Sequence, residues 1–142
     1  DQRCDWVLAD NTPGRETFLF LAGHPDWMQV YWSEEAVIYV LRPGNSHLEE
    51  FETRVLNPIN PMAALDAALQ EAGESEEFLR PIRRELLRAS EDSPHSLRLN
   101  ALLARYYHHT GQRDLVRRSI AAMESASPGH PSIDAIRRMT RE

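Results

Sequence analysis

Side chains able to do chemistry are scattered along this chain, and few have the neighbours that chemistry needs. His108 and His109 are adjacent, and adjacent residues on a helix point about 100° apart, so the pair cannot easily share one ion. The chain has no His-x-x-x-His and no cysteine pair, so no metal and no cofactor is expected. His24-Pro25-Asp26 has the residue types of a catalytic His–Asp couple, but no Gly-x-Ser-x-Gly nucleophile turn accompanies it. A turn leading into Trp27 accounts for it better. Glu49, Glu50 and Glu52, and again Glu74, Glu76 and Glu77, hold enough carboxylates for an acid pair of the glycosidase kind. Acid runs at helix starts and on solvated faces give the same pattern and are far commoner. The single cysteine, Cys4, lies between Arg3 and Asp5; it excludes an internal disulfide and reads as structural rather than as a catalytic thiol. The six glycines form no phosphate-binding loop. Three Trp near turns have the rings to stack on a sugar, although packing in a small β lobe explains them more simply. No catalytic residue is expected.

Charge is the remaining feature with chemical content. All 16 basic residues among the 142 are Arg, against 22 acids, for a net charge of −6. Residues 1–78 carry net −11 and residues 79–142 net +5. Arg80, Arg83, Arg84 and Arg88 are mixed with acids in an acidic chain, which argues against nucleic acid as a partner. Two uses of the basic half remain open: neutralising the acidic half within the molecule, or facing anionic lipid or an acidic partner. With 42% hydrophobic residues the composition excludes a disordered tail, a collagen-like fibre and a disulfide miniprotein. The apolar runs at residues 18–22 and 36–41 are far below the roughly 18 residues of a membrane span.

These residues are positioned by two kinds of element. Trp6–Asp10, Trp27–Trp32 and Ala36–Leu41 read as strands, the last two joined by a short hairpin connection at Ser33-Glu34-Glu35. Strict alternation in the second strand places Met28, Val30 and Trp32 on one face. The third is apolar on both faces, which predicts a central or covered strand. Short helices are expected over residues 15–23 and 47–55. Asn57-Pro58-Ile59-Asn60-Pro61 is a non-helical linker, with Asn60 as N-cap and Pro61 opening a helix. Helical spacing then predicts residues 61–71, 74–89, 97–110, 114–125 and 131–139, with Pro81 pointing to a later start, near Arg80, for the second. The expected fold is α+β: a small β-rich lobe at 1–56 packed on a helical lobe at 61–142.

Within the helical lobe, residues 97–130 resemble a tetratricopeptide repeat, a helix–turn–helix unit of about 34 residues. With Gly111 at the inter-helix turn, Leu103, Ala104 and Tyr107 fall on the large, small and aromatic packing positions of the first helix, and Pro128 closes the unit. Asn100 stands where the family prefers Trp, and Val116 and Met123 where it prefers Ala, which implies wider helix spacing. Residues 61–94 resemble a second, degenerate pair. The resemblance implies a protein-binding concave face, on which the first helix of the unit presents Arg98, Ala101, Arg105 and His108.

The front half resembles something else. Asp5–Asp10, Pro25–Trp32 and Glu35–Val40 are similar to the soluble C-terminal tail of bacterial multispanning glycosyltransferase-like membrane proteins, in which tetratricopeptide-like helices often follow. In that family sugar transfer belongs to loops between membrane helices, so no catalytic residue carries over. The resemblance implies a non-catalytic interaction or regulatory domain on the periplasmic side of a bacterial inner membrane, attached through sequence upstream of Asp1. It implies a protein partner, with anionic lipid or a sugar as further ligands to consider. A free-standing repeat scaffold and a small sugar-binding or glycan-processing enzyme are the competing readings.

Overall fold

Ala36–Leu41 (β3) is the central strand of a three-stranded antiparallel sheet, between Trp6–Asp10 (β1) and Trp27–Trp32 (β2). In this computed structural model, residues 5–57 and 59–141 are described; Arg3 and Cys4 lie outside them. β1 lies in register with Trp6 opposite Val40 and Ala9 opposite Val37. The sheet face carrying Val7, Ala9, Val37 and Tyr39 packs into the main core.

β2 departs from strict alternation. Gln29 faces Tyr39 but Tyr31 faces Ile38, so Val30 is an extra, bulged residue. The bulge corrects the expected facing: Trp32 joins Gln29 on the core face, while Met28 lies opposite Val40 on the other. A bulge reverses the pleat beyond it, which simple alternation cannot anticipate.

The two short helices expected in this lobe are also corrected. Over residues 15–23 there is one 3-10 turn, Leu19–Leu21, because two competing commitments block a helix. Thr17 is tied to the end of β1, its N–H donating to the Asp10 carbonyl at 3.0 Å and its hydroxyl accepting from the Asp10 N–H at 2.9 Å. Phe18 then takes left-handed backbone, at φ 55°. Over residues 47–55 a 3-10 stretch, Ser46–Phe51, gives way to irregular chain that bends at Arg54 and Val55. There the Thr53 N–H donates to the Gln29 carbonyl at 2.8 Å, beside β2.

Five helices follow: α1 (Pro61–Ala72), α2 (Glu76–Asp92), α3 (Leu97–His109), α4 (Arg113–Ala126) and α5 (Pro131–Met139). Asn60 caps α1, its side chain accepting from the Ala63 N–H at 3.1 Å, with Pro61 at the first position. α2 runs through Pro81 rather than starting after it. The proline removes one bond, to the carbonyl of the exposed Glu77, while Leu79, Ile82, Leu86 and Ala89 bury a continuous stripe. Gly111, at φ 73°, makes the tight turn from α3 to α4.

The architecture is α+β. One cluster of buried side chains runs from Ala9, Trp32 and Tyr39 of the sheet through Val55 and Leu56 to Leu65, Leu86, Leu102 and Tyr106 of the helices. A second, of Ala104, Val116, Met123, Ile133 and Ile136, joins α3 to α4 and α5. Met62 and Tyr107 pack against both. No helix among the described residues is long and apolar enough to cross a membrane.

Candidate functional site

The four residues expected on a concave face are dispersed, because other parts of the chain already occupy much of that face. Arg98 reaches back to the sheet lobe. Its Nε donates to the Glu34 carboxylate at 3.1 Å, and its Nη2 to the carbonyls of Asn11 at 2.7 Å and Glu34 at 3.0 Å. The guanidinium also lies 5.5 Å from the ring centre of Trp32. Arg105 Nε donates to Asp66 of α1 at 2.8 Å. Ala101 is buried in the second core cluster. Arg98 and Arg105 are therefore fasteners between elements rather than free recognition groups. His108 alone reaches an open groove.

That groove, of about 490 Å³, runs between α4 and α5 beyond the C-terminal end of α3. Its apolar lining is Val116 and Ile120; around it stand Arg113, Arg117, Arg137 and Arg141, with His108 at one end. Helix geometry builds its α4 side from two pairs four residues apart: Arg113 and Arg117 share one face of α4, and Val116 and Ile120 the adjoining face. Arg137 of α5 and Arg141, two residues past the end of that helix, close the other side. α3 and α5 both pack against α4, which brings these residues together.

Not all four charges are free. Arg137 is paired with Glu124 at 2.7 Å and Asp134 at 3.6 Å, and Arg117 with the exposed Asp114 at 3.2 Å. Arg113 and Arg141 are exposed and have no acidic partner among the described residues. Arg113 also opens α4, where the helix dipole already places positive potential. A cation there costs stability, and an anion in the groove would relieve it. The i,i+4 arginine pairs are visible in the sequence; which of them would stay unpaired is not.

The other chemically suggestive residues are bound up in structure. His24 Nδ1 accepts from the Asp26 N–H at 3.1 Å, closing the turn before β2. His109 Nε2 lies 2.7 Å from the Gly73 carbonyl, tying α3 to the turn after α1. Glu52 forms a two-point ion pair with Arg42, and Glu76 pairs with Arg83 at 3.0 Å. Asn100, at the position where a tetratricopeptide unit prefers Trp, donates to the carbonyls of Pro94 at 3.1 Å and Ser96 at 2.9 Å, stitching the turn that opens α3.

The half-buried Glu85 and the buried Tyr39 are among the groups with shifted ionisation. Glu85 of α2 accepts from the backbone N–H groups of Val55 at 2.9 Å, Leu56 at 2.8 Å, and Arg54. Burial nonetheless outweighs these bonds and pushes its carboxyl above the ordinary value of 4.5. Burial likewise raises the Tyr39 phenol above 10.0, keeping it a neutral hydroxyl at pH 7.

Among the described residues no three His, Cys, Asp or Glu side chains converge on one point as a metal site would require. The groove offers guanidinium groups around an aliphatic floor, a combination suited to holding an anion attached to an apolar body. Against known protein families, curated proteins and solved structures, the chain finds no match.

Proposed function

We propose that this chain is a non-catalytic interaction domain whose α4–α5 groove holds an acidic, partly aliphatic segment of a partner protein. One observation carries the reading: Arg113 and Arg141, two exposed arginines with no acidic partner among the described residues, flank the apolar strip of Val116 and Ile120. Carboxylates of the partner would meet the guanidiniums, and an aliphatic side chain between them would cover the strip. The resemblance of residues 5–42 to the tails of glycosyltransferase-like membrane proteins supplies the setting. There the domain would be a periplasmic appendage that recruits or regulates, while the sugar chemistry lies elsewhere in the parent protein.

The test is a fluorescence-anisotropy titration with a labelled peptide of alternating Glu and Leu. Binding should weaken as salt rises, because the rim charges are exposed. Replacing Arg113 and Arg141 together with Ala should lower affinity by about tenfold or more without lowering the melting temperature. A peptide that fails to bind, or that binds the double variant equally well, would overturn the proposal.

A further inference from the structure

The α3–α4 turn separates two surfaces of opposite charge at one end of the helical lobe. Residues beside that turn diverge. His108 and Arg113 line the basic groove, whereas His109 and Gln112 line a second hollow, of about 400 Å³, together with Glu74 and Glu76. His109 holds the second side in place, its Nε2 lying 2.7 Å from the Gly73 carbonyl just before α2. The chain there runs Glu74-Ser75-Glu76-Glu77-Phe78, and all five residues are exposed. Arg83 engages Glu76, but Glu74 and Glu77 have no basic partner among the described residues. Phe78 keeps 56% of its surface exposed.

This segment has the chemistry that the groove takes. Its two carboxylates match Arg113 and Arg141, and the Phe78 ring matches the apolar strip of Val116 and Ile120. Within one molecule no ion pair among the described residues joins Glu74 or Glu77 to Arg113, although both flank the same turn. Complementary patches side by side make a surface that fits itself. With a twofold axis passing between two copies of the turn, the acidic segment of each copy faces the groove of the other, and the contact is made twice.

We infer that this end of the helical lobe is a twofold self-association surface, with residues 74–78 of each copy seated in the α4–α5 groove of the other. The inference rests on the reading of the groove as a site for an acidic segment with an apolar side chain, and it names a second copy of the chain as the occupant.

Sedimentation equilibrium of the whole chain over a wide concentration range is the test. A monomer–dimer equilibrium is expected, and it should loosen as salt rises. Glu74→Arg with Glu77→Arg reverses the segment and leaves the groove intact; Arg113→Glu with Arg141→Glu does the opposite. Alone, each double variant should self-associate about tenfold more weakly or worse. An equimolar mixture of the two should dimerise like the parent, because both contacts of the mixed pair then join opposite charges. That recovery also requires both variants to be folded. A parent chain that stays monomeric, variants that associate as well as the parent, a mixture that does not recover, or growth beyond dimers would each overturn the inference. The groove reading fails separately. The Glu74→Arg/Glu77→Arg variant keeps its groove and should still bind the Glu–Leu peptide, so binding there with a monomeric parent chain sinks self-association alone.

Discussion

Glu85 is the most exacting test of how the sheet lobe is held to the helices. One carboxylate on α2 receives three consecutive backbone N–H groups from residues 54–56, at 2.8–3.0 Å. Val55 and Leu56 are 0% and 2% exposed, whereas Arg54 is at the surface. Glu85→Ala therefore strands two buried donors, while water can replace the carboxylate at the third. At about 1–3 kcal/mol for each stranded donor, the loss would be about 2–6 kcal/mol, lowered to about 2–5 because a partly desolvated charge also disappears. For a chain of this size that is a fall in melting temperature of roughly 6–15 °C. Glu85→Gln keeps one oxygen for Val55 and Leu56 and sets its NH₂ against the exposed Arg54 N–H, so its cost should be only about 1 kcal/mol. Acidity supplies a second reading. The Glu85 pKa is raised in the folded state, so its contribution is fully present below the unfolded value of about 4.5 and is lost as pH rises through the folded value. The stability gap between the parent chain and Glu85→Gln should thus widen on acidification and narrow toward neutrality. Melting followed by circular dichroism across that range measures both effects. Glu85→Ala melting within a degree of the parent, or a gap that widens with rising pH, would refute the reasoning.

Arg98→Ala should lose about 2–3 kcal/mol in chemical denaturation, since it removes two carbonyl partners, the Glu34 pair and the contact with Trp32. Arg98→Lys should restore less than half of it, because an ammonium cannot make the same planar set of contacts. Phe18→Asn, at φ 55° and half-exposed, should raise stability by roughly 0.5–1 kcal/mol in the same assay by relieving left-handed strain. A fall would mean that packing of Phe18 on Phe20, with ring centres 5.9 Å apart, outweighs that strain.

The strands and helices were legible because each carries its own local signal. Short apolar runs and flanking turn residues bounded β1, β2 and β3, and the i,i+3/i+4 apolar spacing with Asn60-Pro61 and Pro131 bounded the helices. What failed to show was what depends on distant partners. The Val30 bulge is decided by pairing with β3, and the bent path of residues 53–56 by Gln29 and Glu85. Pro81 misled for the same reason, since the buried stripe of α2 outweighs one lost backbone bond. The site divided along this line too. Helical periodicity correctly placed Arg98, Arg105 and His108 along one helix, but only tertiary contacts reveal that two of them are already engaged. Arg113 and Arg141 looked like any other solvated arginine until their neighbours were known.

The charge step near residue 78 can now be followed to particular atoms. Part of it is cancelled inside the molecule, where Arg98 meets Glu34 and Arg105 meets Asp66, each a basic residue of α3 facing an acid from the first half of the chain. Each of these arginines has about 23% of its side chain exposed, so these pairs are less screened than those at the open surface. What is left over is shared by α2 from residue 79 onward, α4 and α5, each with one more Arg than acids. The absence of Lys has a physical meaning at Arg98. There Nε serves a carboxylate, Nη2 serves two carbonyls, and the guanidinium lies over Trp32. A planar, permanently charged fork can do all of this in one orientation, and an ammonium cannot. The same property applied to Arg113 and Arg141 of the groove favours carboxylates presented in fixed geometry over a diffuse negative surface. An anionic bilayer should therefore compete poorly with an acidic peptide for Arg113 and Arg141.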